Sequence, residues 1–213
     1  SLQNLKISAN FIAQEKNSNN KTFGVRGLTG CLNLIDLNIK NINIEILNGN
    51  CEDSINIVRS NGSINELKIF NSSNDALDID FSDISISKVN ISVAGNDCVD
   101  LSFGTYKIKE SNINDCGDKA ISVGEKSYLT IQNLNAINSN IGIASKDSSK
   151  VKLENGNFQN LKVCLAAYNK KQEFFGGIIK INNFNCRNSS KKTYIDNLSV
   201  ISFNNQILES NEF

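Results

Sequence analysis

Apolar and polar residues alternate along much of this chain, and the alternating stretches recur at a constant interval. Between residues 50 and 148 one phrase appears in four variants, each an acidic turn followed by an alternating stretch: CEDSINIV, SNDALDID, GNDCVDLS and GDKAISVG. Its first apolar position recurs every 22 residues, at Ile55, Leu77, Val99, Ile121, Ile143 and Leu165. Period-two alternation indicates strands, and a fixed longer period indicates a stack of equivalent units. The pattern therefore predicts an all-β, right-handed parallel β-helix, a single-chain solenoid with one coil per 22-residue repeat.

Two further apolar columns predict a second and a third strand in each coil. The second strand is expected near Ile64, Ile86, Ile108, Ile131 and Leu153, and the third near Ile69, Ile91, Ile113, Ala136 and Phe158. The interval from Ile108 to Ile131 is longer than the others, which places a single inserted residue at 124–127. Directly before the last four third-strand positions lie Asn90, Asn112, Asn135 and Asn157, which we expect to stack as a hydrogen-bonded structural column.

The repeat divides the chain into three segments. Residues 1–30 fit it poorly and are expected to cap the stack, with an exposed loop at 15–21; residues 31–168 form the regular coils. The segment 169–213 is expected to hold a flap insertion at 169–177, because Ile181, the equivalent of Leu153, comes later than the period predicts. A last, truncated coil should follow the flap. Residues 185–213 are expected to lose register.

Composition narrows the range of partners. The chain carries 22 basic and 22 acidic residues, so it has no net field that would favour nucleic acid. No apolar stretch is long enough for a transmembrane segment. Methionine is absent even at position 1, so we expect the chain to be part of a larger protein.

Six cysteines lie far apart in sequence and no histidine accompanies them, which gives a zinc site little support. Cys98 and Cys164 share a column of small residues with Ala76 and Ala120. We therefore expect small buried thiols, while disulfides of unassigned connectivity stay open.

Candidate chemistry collects on the outward positions of the first strand and its turns. Aspartate is depleted in strands, so Asp78, Asp80 and Asp100 are poorly explained as turn formers, whereas Asp53, Asp75, Asp97 and Asp118 suit that role. Asp78 and Asp100 should lie one coil apart and repel, which a neighbouring Lys, a shared proton or a calcium ion could offset. The candidates are catalytic (Asp78, Asp97, Asp100, Lys119, Lys126), substrate-binding (Arg59, Lys146, Lys170, Phe174, Phe175) and metal-binding (Asp78, Asp80, Asp100).

The phrases SNDALDIDF, GNDCVD, GDKAISVGEKS and NIGIASKDSS resemble right-handed parallel β-helix modules of bacterial surface proteins, some of which accompany a CotH-kinase-like region. That resemblance covers about residues 31–168 and implies an extracellular or cell-surface location. A more distant similarity is to pectin-lyase-like, polygalacturonase-type β-helices, through the turns at Asn74-Asp75, Gly95-Asn96-Asp97 and Gly117-Asp118-Lys119. Asn96 replaces a carboxylate there and the chain has no histidine, so that hydrolase mechanism is not carried over.

Two functions follow as hypotheses. In the first, the acidic ladder binds or processes carbohydrate, with calcium (Ca2+) as an optional cofactor. If it is an enzyme, it is a polysaccharide lyase, epimerase or hydrolase, with Lys119 or Lys126 as a candidate base and the flap as one wall. In the second, the domain is a non-catalytic spacer or adhesion module whose charges keep a flat surface soluble. Convergence of Asp78, Asp80, Asp97, Asp100 and Lys119 in one cleft would favour the first.

Overall fold

A computed structural model describes residues 1–11 and 28–208. Throughout this range the chain forms strands and turns, without a helix, and the strands join into one hydrogen-bonded sheet. The strands are β1 (Leu2–Gln3), β2 (Lys6–Asn10), β3 (Gly30–Ile35), β4 (Asn38–Leu47), β5 (Asp53–Val58), β6 (Asn61–Ser72), β7 (Asp75–Asp80), β8 (Asp83–Ala94), β9 (Val99–Ser102), β10 (Thr105–Cys116), β11 (Lys119–Gly124), β12 (Tyr128–Lys146), β13 (Lys150–Tyr168), β14 (Ile178–Arg187), β15 (Lys191–Ile195), β16 (Val200–Phe203) and β17 (Gln206–Ile207).

Successive coils pair in parallel at the predicted interval. Ile55 pairs with Leu77, Leu77 with Val99 and Val99 with Ile121, and the column continues through Ile143 and Leu165. All six side chains are fully buried. The predicted parallel β-solenoid is therefore confirmed, and its core is the stack of these inward columns.

The second and third strands are correctly placed, but they form one continuous element. β6, β8 and β10 each run for 12 residues and carry both apolar columns. The pairing register accommodates both insertions: Thr105 pairs with Tyr128 and Leu153 pairs with Ile181, so each pair spans more than one period. The extra residue of the insertion at 124–127 is accommodated by two successive residues with left-handed backbone, Glu125 and Lys126.

Both ends of the described chain stay in the solenoid. β1 and β2 pair in parallel with β4 and so add part of a coil before the regular stack. At the other end β15 pairs with β13, β16 pairs with β14, and only β17 turns back antiparallel. The expected loss of register after residue 185 is therefore wrong as far as Phe203. The loop expected at 15–21 lies outside the described residues, as do residues 209–213.

All six cysteines are disulfide-bonded, so the expectation of free buried thiols is wrong. The pairs are Cys31–Cys51, Cys98–Cys116 and Cys164–Cys186. In the second pair the bond joins the residue before β9 to the end of β10, which closes one coil across its interior corner. Two coils earlier the equivalent positions are the buried hydroxyls of Ser54 and Ser72, whose oxygens lie 2.6 Å apart. The same corner is thus bridged by different chemistry in different coils.

Asparagines form ladders along the axis, as expected. Asn112 donates to Asn90 at 3.3 Å, and Asn157 donates to Asn135 at 2.8 Å. These residues lie along the bend of the long strands. A separate ladder supports the turn that follows, where Asn138 and Asn160 are left-handed and Asn160 donates to Asn138 at 3.1 Å.

Replacing Val99 with Asp should unfold the stack. Val99 is fully buried between Leu77 and Ile121, where a carboxylate would have neither water nor a partner. We expect the free energy of unfolding to fall by about 4 kcal/mol or more, measured by urea denaturation followed by far-ultraviolet circular dichroism. The exposed Lys107→Asp on β10 is the control and should leave the midpoint nearly unchanged. Equal midpoints for the two variants would contradict the core assignment.

Removing the central disulfide should destabilise the fold without creating a clash. The double variant Cys98→Ala/Cys116→Ala reproduces the pair Ala76 and Ala94 that the preceding coil carries at the same corner. Because the bond closes an 18-residue separation, we expect a loss of roughly 3 kcal/mol in the free energy of unfolding. Mass spectrometry should also show that reduction of the wild-type protein adds the mass of six hydrogens, two for each disulfide. A wild-type protein with reactive thiols would contradict the bonding pattern.

Candidate functional site

The outward side chains of β5, β7, β9 and β11 form a single charged surface, here called the acidic face. Because these strands pair in register, Asp53 lies beside Asp75, and Asp78 lies beside Asp100. Although these positions point away from the core, Asp53 and Asp97 are 3% exposed and Lys119 is 8% exposed. Asp53, Asp97 and Lys119 are therefore shielded from solvent, whereas Asp75, Asp78, Asp80 and Asp100 are half-buried. It comprises Asp53, Asp75, Asp78, Asp80, Asp97, Asp100 and Lys119.

One column of this face has a structural duty. The Asp75 carboxylate accepts the backbone N–H of Asp97 at 2.9 Å and the amide of Asn96 at 2.7 Å. One coil further on, Asp97 accepts the backbone N–H of Lys119 at 3.0 Å. Asp75 and Asp97 thus hold the turn that begins the following coil, as expected for turn-forming aspartates.

Lys119 ends this column and compensates its charge. Its Nζ lies 3.3 Å and 3.4 Å from the two Asp97 oxygens and also contacts Asp118. Burial alone would lower the pKa of Lys119, but the hydrogen bond to Asp118 and the charges of Asp97 and Asp118 outweigh it and raise that pKa. The ammonium therefore stays charged at neutral pH, which suits it to bind an anion and disfavours it as a proton-accepting base.

Asp78 is held in its neutral form. Burial, reinforced by the repulsion of Asp80, raises the pKa of Asp78 to about 9, and Asn56 donates to Asp78 at 2.9 Å. A proton thus offsets the repulsion expected between Asp78 and Asp100 in neighbouring coils. Beside them, one buried oxygen of Asp100 and the buried hydroxyl of Ser122 have no hydrogen-bond partner. The face therefore presents a proton donor next to two unsatisfied oxygens.

No group of metal ligands is preformed on this surface. Over residues 1–11 and 28–208, acidic, histidine and cysteine side chains nowhere gather in a group of three that could hold a metal ion. A calcium site takes six to eight oxygen ligands, several of them from ionised carboxylates. Calcium binding by Asp78, Asp80 and Asp100 stays a prediction.

The insertion at 169–177 folds back beside the acidic face as a flap. Asp147 is fully buried, and one of its oxygens accepts the backbone N–H groups of Lys170 and Lys171 at 2.8 Å each. Lys171 forms an ion pair with Glu125, whose other oxygen accepts the Ser102 hydroxyl at 2.6 Å. Burial would raise the pKa of Glu125, but these two hydrogen bonds lower it, so the flap is tied down by an ionised carboxylate at neutral pH.

Aromatic rings line the side of the face where the flap lies. Phe81 and Phe103 stack in parallel with 4.7 Å between ring centroids, and Phe174 of the flap meets Phe103 edge-on at 6.3 Å. Lys126 Nζ lies 5.8 Å from the Phe174 centroid. Phe175 is 77% exposed. The acidic face is thus bordered by an apolar, partly exposed wall.

The other predicted site residues are distributed as follows. Asp80 shares the face, and its pKa is raised to about 6 by burial and by the charge of Asp100. Arg59 lies at the edge, but its guanidinium bonds Asp36 at 2.8 and 2.9 Å. Lys146 is buried against Gly124, and the side chain of Lys170 is exposed. Thus the structure brings Asp78, Asp80, Asp97, Asp100 and Lys119 together, while Lys126 contacts the flap through the ring of Phe174 and Arg59 forms a separate ion pair.

Several residues of this surface were missed in the sequence. Phe81 and Phe103 lie 22 residues apart, so the repeat itself could have identified them as a column. Tyr168 ends β13 and lies within electrostatic reach of Lys119; burial raises its pKa and the lysine opposes that rise. The pair Glu125 and Lys171 joins two insertions, and no periodic signal marks it.

The raised carboxyl pKa values should make the protein more stable in mild acid. Burial raises the pKa of Asp53, Asp80 and Asp97 to about 6 and that of Asp78 to about 9, against about 3.9 in an unfolded chain. Across that range the folded state holds more protons than the unfolded state, so raising the pH lowers the free energy of unfolding. We expect the melting temperature to fall between pH 5 and pH 9, measured by differential scanning calorimetry.

Asp78→Asn isolates the largest contribution to this dependence. The amide cannot ionise, so the decline in melting temperature between pH 6 and pH 9 should flatten in this variant, and stability at pH 8 should rise above that of the wild type. A melting temperature of the wild type that increases over this range would contradict a neutral Asp78 in the folded protein.

The chain was compared with protein-family models, curated proteins and solved structures, and no match was found. The solenoid architecture is established by the strand pairing alone. The finer resemblances to bacterial surface modules and to pectin-lyase-like proteins remain hypotheses.

Proposed function

We propose that the acidic face binds a carbohydrate chain and cleaves it by acid-assisted hydrolysis. The observation that carries this proposal is the placement of Asp78 beside Asp100 in neighbouring coils, on a surface bordered by aromatic rings, where burial and the repulsion of Asp80 raise the pKa of Asp78 to about 9. Neighbouring carboxyl groups of which one keeps its proton at neutral pH are the usual arrangement for acid–base work on glycosidic bonds.

In this proposal the two carboxyl groups have different roles. Asp78 gives its proton to the glycosidic oxygen as the bond from the anomeric carbon to that oxygen breaks. The Asp100 carboxylate stabilises the positive charge on the anomeric carbon or bonds to it. Water then attacks that carbon, displaces Asp100 where such a bond has formed, and gives its other proton back to Asp78. Neighbouring parallel strands lie about 4.8 Å apart, which is close to the carboxyl separation of about 5–5.5 Å in retaining glycosidases.

The remaining groups of the face would hold the substrate. Lys119 keeps its charge and can bind an acidic group of a sugar, although Asp97 and Asp118 already share its hydrogens. The edge of Phe103 and the flap ring Phe174 provide apolar contact for the carbon–hydrogen face of a sugar ring. A lyase or epimerase reaction with Lys119 as base receives less support, because its ammonium is stabilised by two carboxylates.

The disulfides support an extracellular or cell-surface location in the same proposal. Three disulfides form and persist in oxidising compartments, where polysaccharides are also encountered. Within the described range no helix has the length and apolarity needed to cross a membrane.

The proposal is tested with a panel of uronate-containing and neutral polysaccharides. Wild-type protein should bind at least one polymer in affinity gel electrophoresis and release reducing ends from it. Asp78→Asn and Asp100→Asn should keep binding but lose at least about 100-fold in turnover, as expected when proton transfer is removed. Asp97→Asn/Lys119→Met, which removes both members of a buried pair together, should weaken binding to an acidic polymer at least tenfold.

The matched control is Glu66→Gln/Lys88→Met. Lys88 and Glu66 form a Lys–carboxylate pair between neighbouring coils on a different part of the surface, with 3.6 Å between charged atoms. This control should bind and cleave like the wild type. Binding that the Asp97→Asn/Lys119→Met variant weakens, without release of reducing ends, would refute hydrolysis but keep the acidic face as a binding site. No binding to any polymer would favour the alternative of a non-catalytic spacer or adhesion module.

A further inference from the structure

A groove lies on a different part of the solenoid from the acidic face, over the bend of the long strands β10, β12, β13 and β14. It encloses about 720 Å³, within the range of ligand sites in proteins. One edge is the row Asn112, Asn135, Asn157 and Asn185, and the other is the row Glu110, Asn133, Asn155 and Asn183. We call it the asparagine groove; its residues take no part in the acidic face.

The amides along both edges are fixed by hydrogen bonds to one another. Asn157 donates to Asn135 at 2.8 Å and accepts from Asn185 at 3.3 Å. In the other row Asn155 donates to Asn133 at 3.1 Å and accepts from Asn183 at 3.2 Å. Side chains that are already immobilised lose little conformational entropy when a ligand binds.

The ladder leaves part of the Asn157 amide for a ligand. A primary amide has two N–H donors and an oxygen with two lone pairs, and Asn157 uses one N–H and one lone pair within its row. Asn157 therefore keeps a donor and an acceptor at its edge of the groove, where the amides of its row follow one another about every 4.8 Å along the axis.

Between the two rows the floor of the groove is backbone. Ser111, Leu134, Gly156 and Phe184 follow one another in register from β10 to β14, and the side chains of Ser111 and Leu134 are buried. An added Cβ on Gly156 would lie 2.6 Å from the ring of the buried Phe158, so this column faces the core. Phe203 packs edge-on against Phe184, with 5.5 Å between centroids, and closes one end of the groove with aromatic surface.

The charge and the hydrogen-bonding groups of the groove indicate which kind of ligand it can bind. Glu110 alone among the lining residues carries charge, so neither a polyanion nor a polycation is favoured. A peptide strand cannot add to this surface, because β12 is already hydrogen-bonded to β10 on one side and to β13 on the other. Exposed amides at a regular spacing, with the aromatic surface of Phe184 and Phe203 at one end, match a neutral chain rich in hydroxyl groups.

We propose that the asparagine groove binds a neutral polysaccharide chain lying along the solenoid axis. This site is independent of the acidic face, which lies on the first strand of each coil. A protein with both sites would hold one neutral glycan and act on another region or another polymer.

The test is affinity gel electrophoresis in gels containing mixed-linkage β-glucan, galactomannan, xylan or polygalacturonate. We expect at least one of the three neutral polymers to retard the wild-type protein. Asn133→Ala/Asn155→Ala removes two exposed amides from one edge and should weaken that binding at least tenfold. Circular dichroism and the melting temperature establish that this variant is folded.

The matched control is Asn138→Gly/Asn160→Gly. Like the test variant, it removes one amide from each of two neighbouring coils, but these amides belong to the turn ladder outside the groove. Glycine tolerates the left-handed backbone of both positions. This control, and Asp97→Asn/Lys119→Met on the acidic face, should bind the neutral polymer like the wild type. The proposal is overturned if no neutral polymer retards the wild type, if the Asn133/Asn155 variant binds normally, or if the acidic-face variant alone abolishes retardation.

Discussion

Parallel hydrogen bonding between successive coils is the constraint on which the whole molecule depends. It holds equivalent residues of neighbouring coils about 4.8 Å apart, so whatever occupies one position is stacked on its equivalent. Inside, this produces continuous columns of Ile, Leu and Val. On the outer surface, it places like polar groups next to one another, so the hydrogen-bonding groups and charges of each column must be satisfied or neutralised. Asparagine columns do so by hydrogen-bonding along the axis, because an amide is both donor and acceptor.

A column of ionised aspartates cannot do this, because a carboxylate only accepts hydrogen bonds. The column with Asp75 and Asp97 uses its oxygens to accept backbone N–H groups and ends on an ammonium, whereas the column with Asp78 and Asp100 retains a proton. Two neighbouring columns of the same residue type therefore have different chemistry. The first is saturated by the protein and is structural. The second keeps a donor and unsatisfied oxygens, and for this reason the proposed hydrolysis is assigned to it.

The sequence predicted the parts of the structure that repeat. Inward columns, strand positions and both insertions were readable, because a buried position must be apolar in every coil and the interval counts residues directly. The Cys98–Cys116 bond was not predicted, since it depends on which two corners of a coil meet across its interior. The contact of Lys171 with Glu125 was also inaccessible: it joins two irregular insertions, and the register of the solenoid says nothing about how an insertion folds. The 22-residue period thus determines the fold and the column of Phe81 and Phe103, whereas the flap beside the site comes from an insertion that interrupts the period.

Each disulfide links two positions 18 to 22 residues apart, a distance comparable to one coil, so none of them joins distant parts of the stack. Under tension applied at the two chain ends, such a solenoid would peel from its ends one coil at a time. Every disulfide would then keep the residues between its cysteines from extending, so the chain would yield in steps of reduced length. Cys164–Cys186 also encloses the flap, which would keep its two ends close together even after the surrounding coil had unwound. The bonds thus act as local limits on extension and not as a brace between coils.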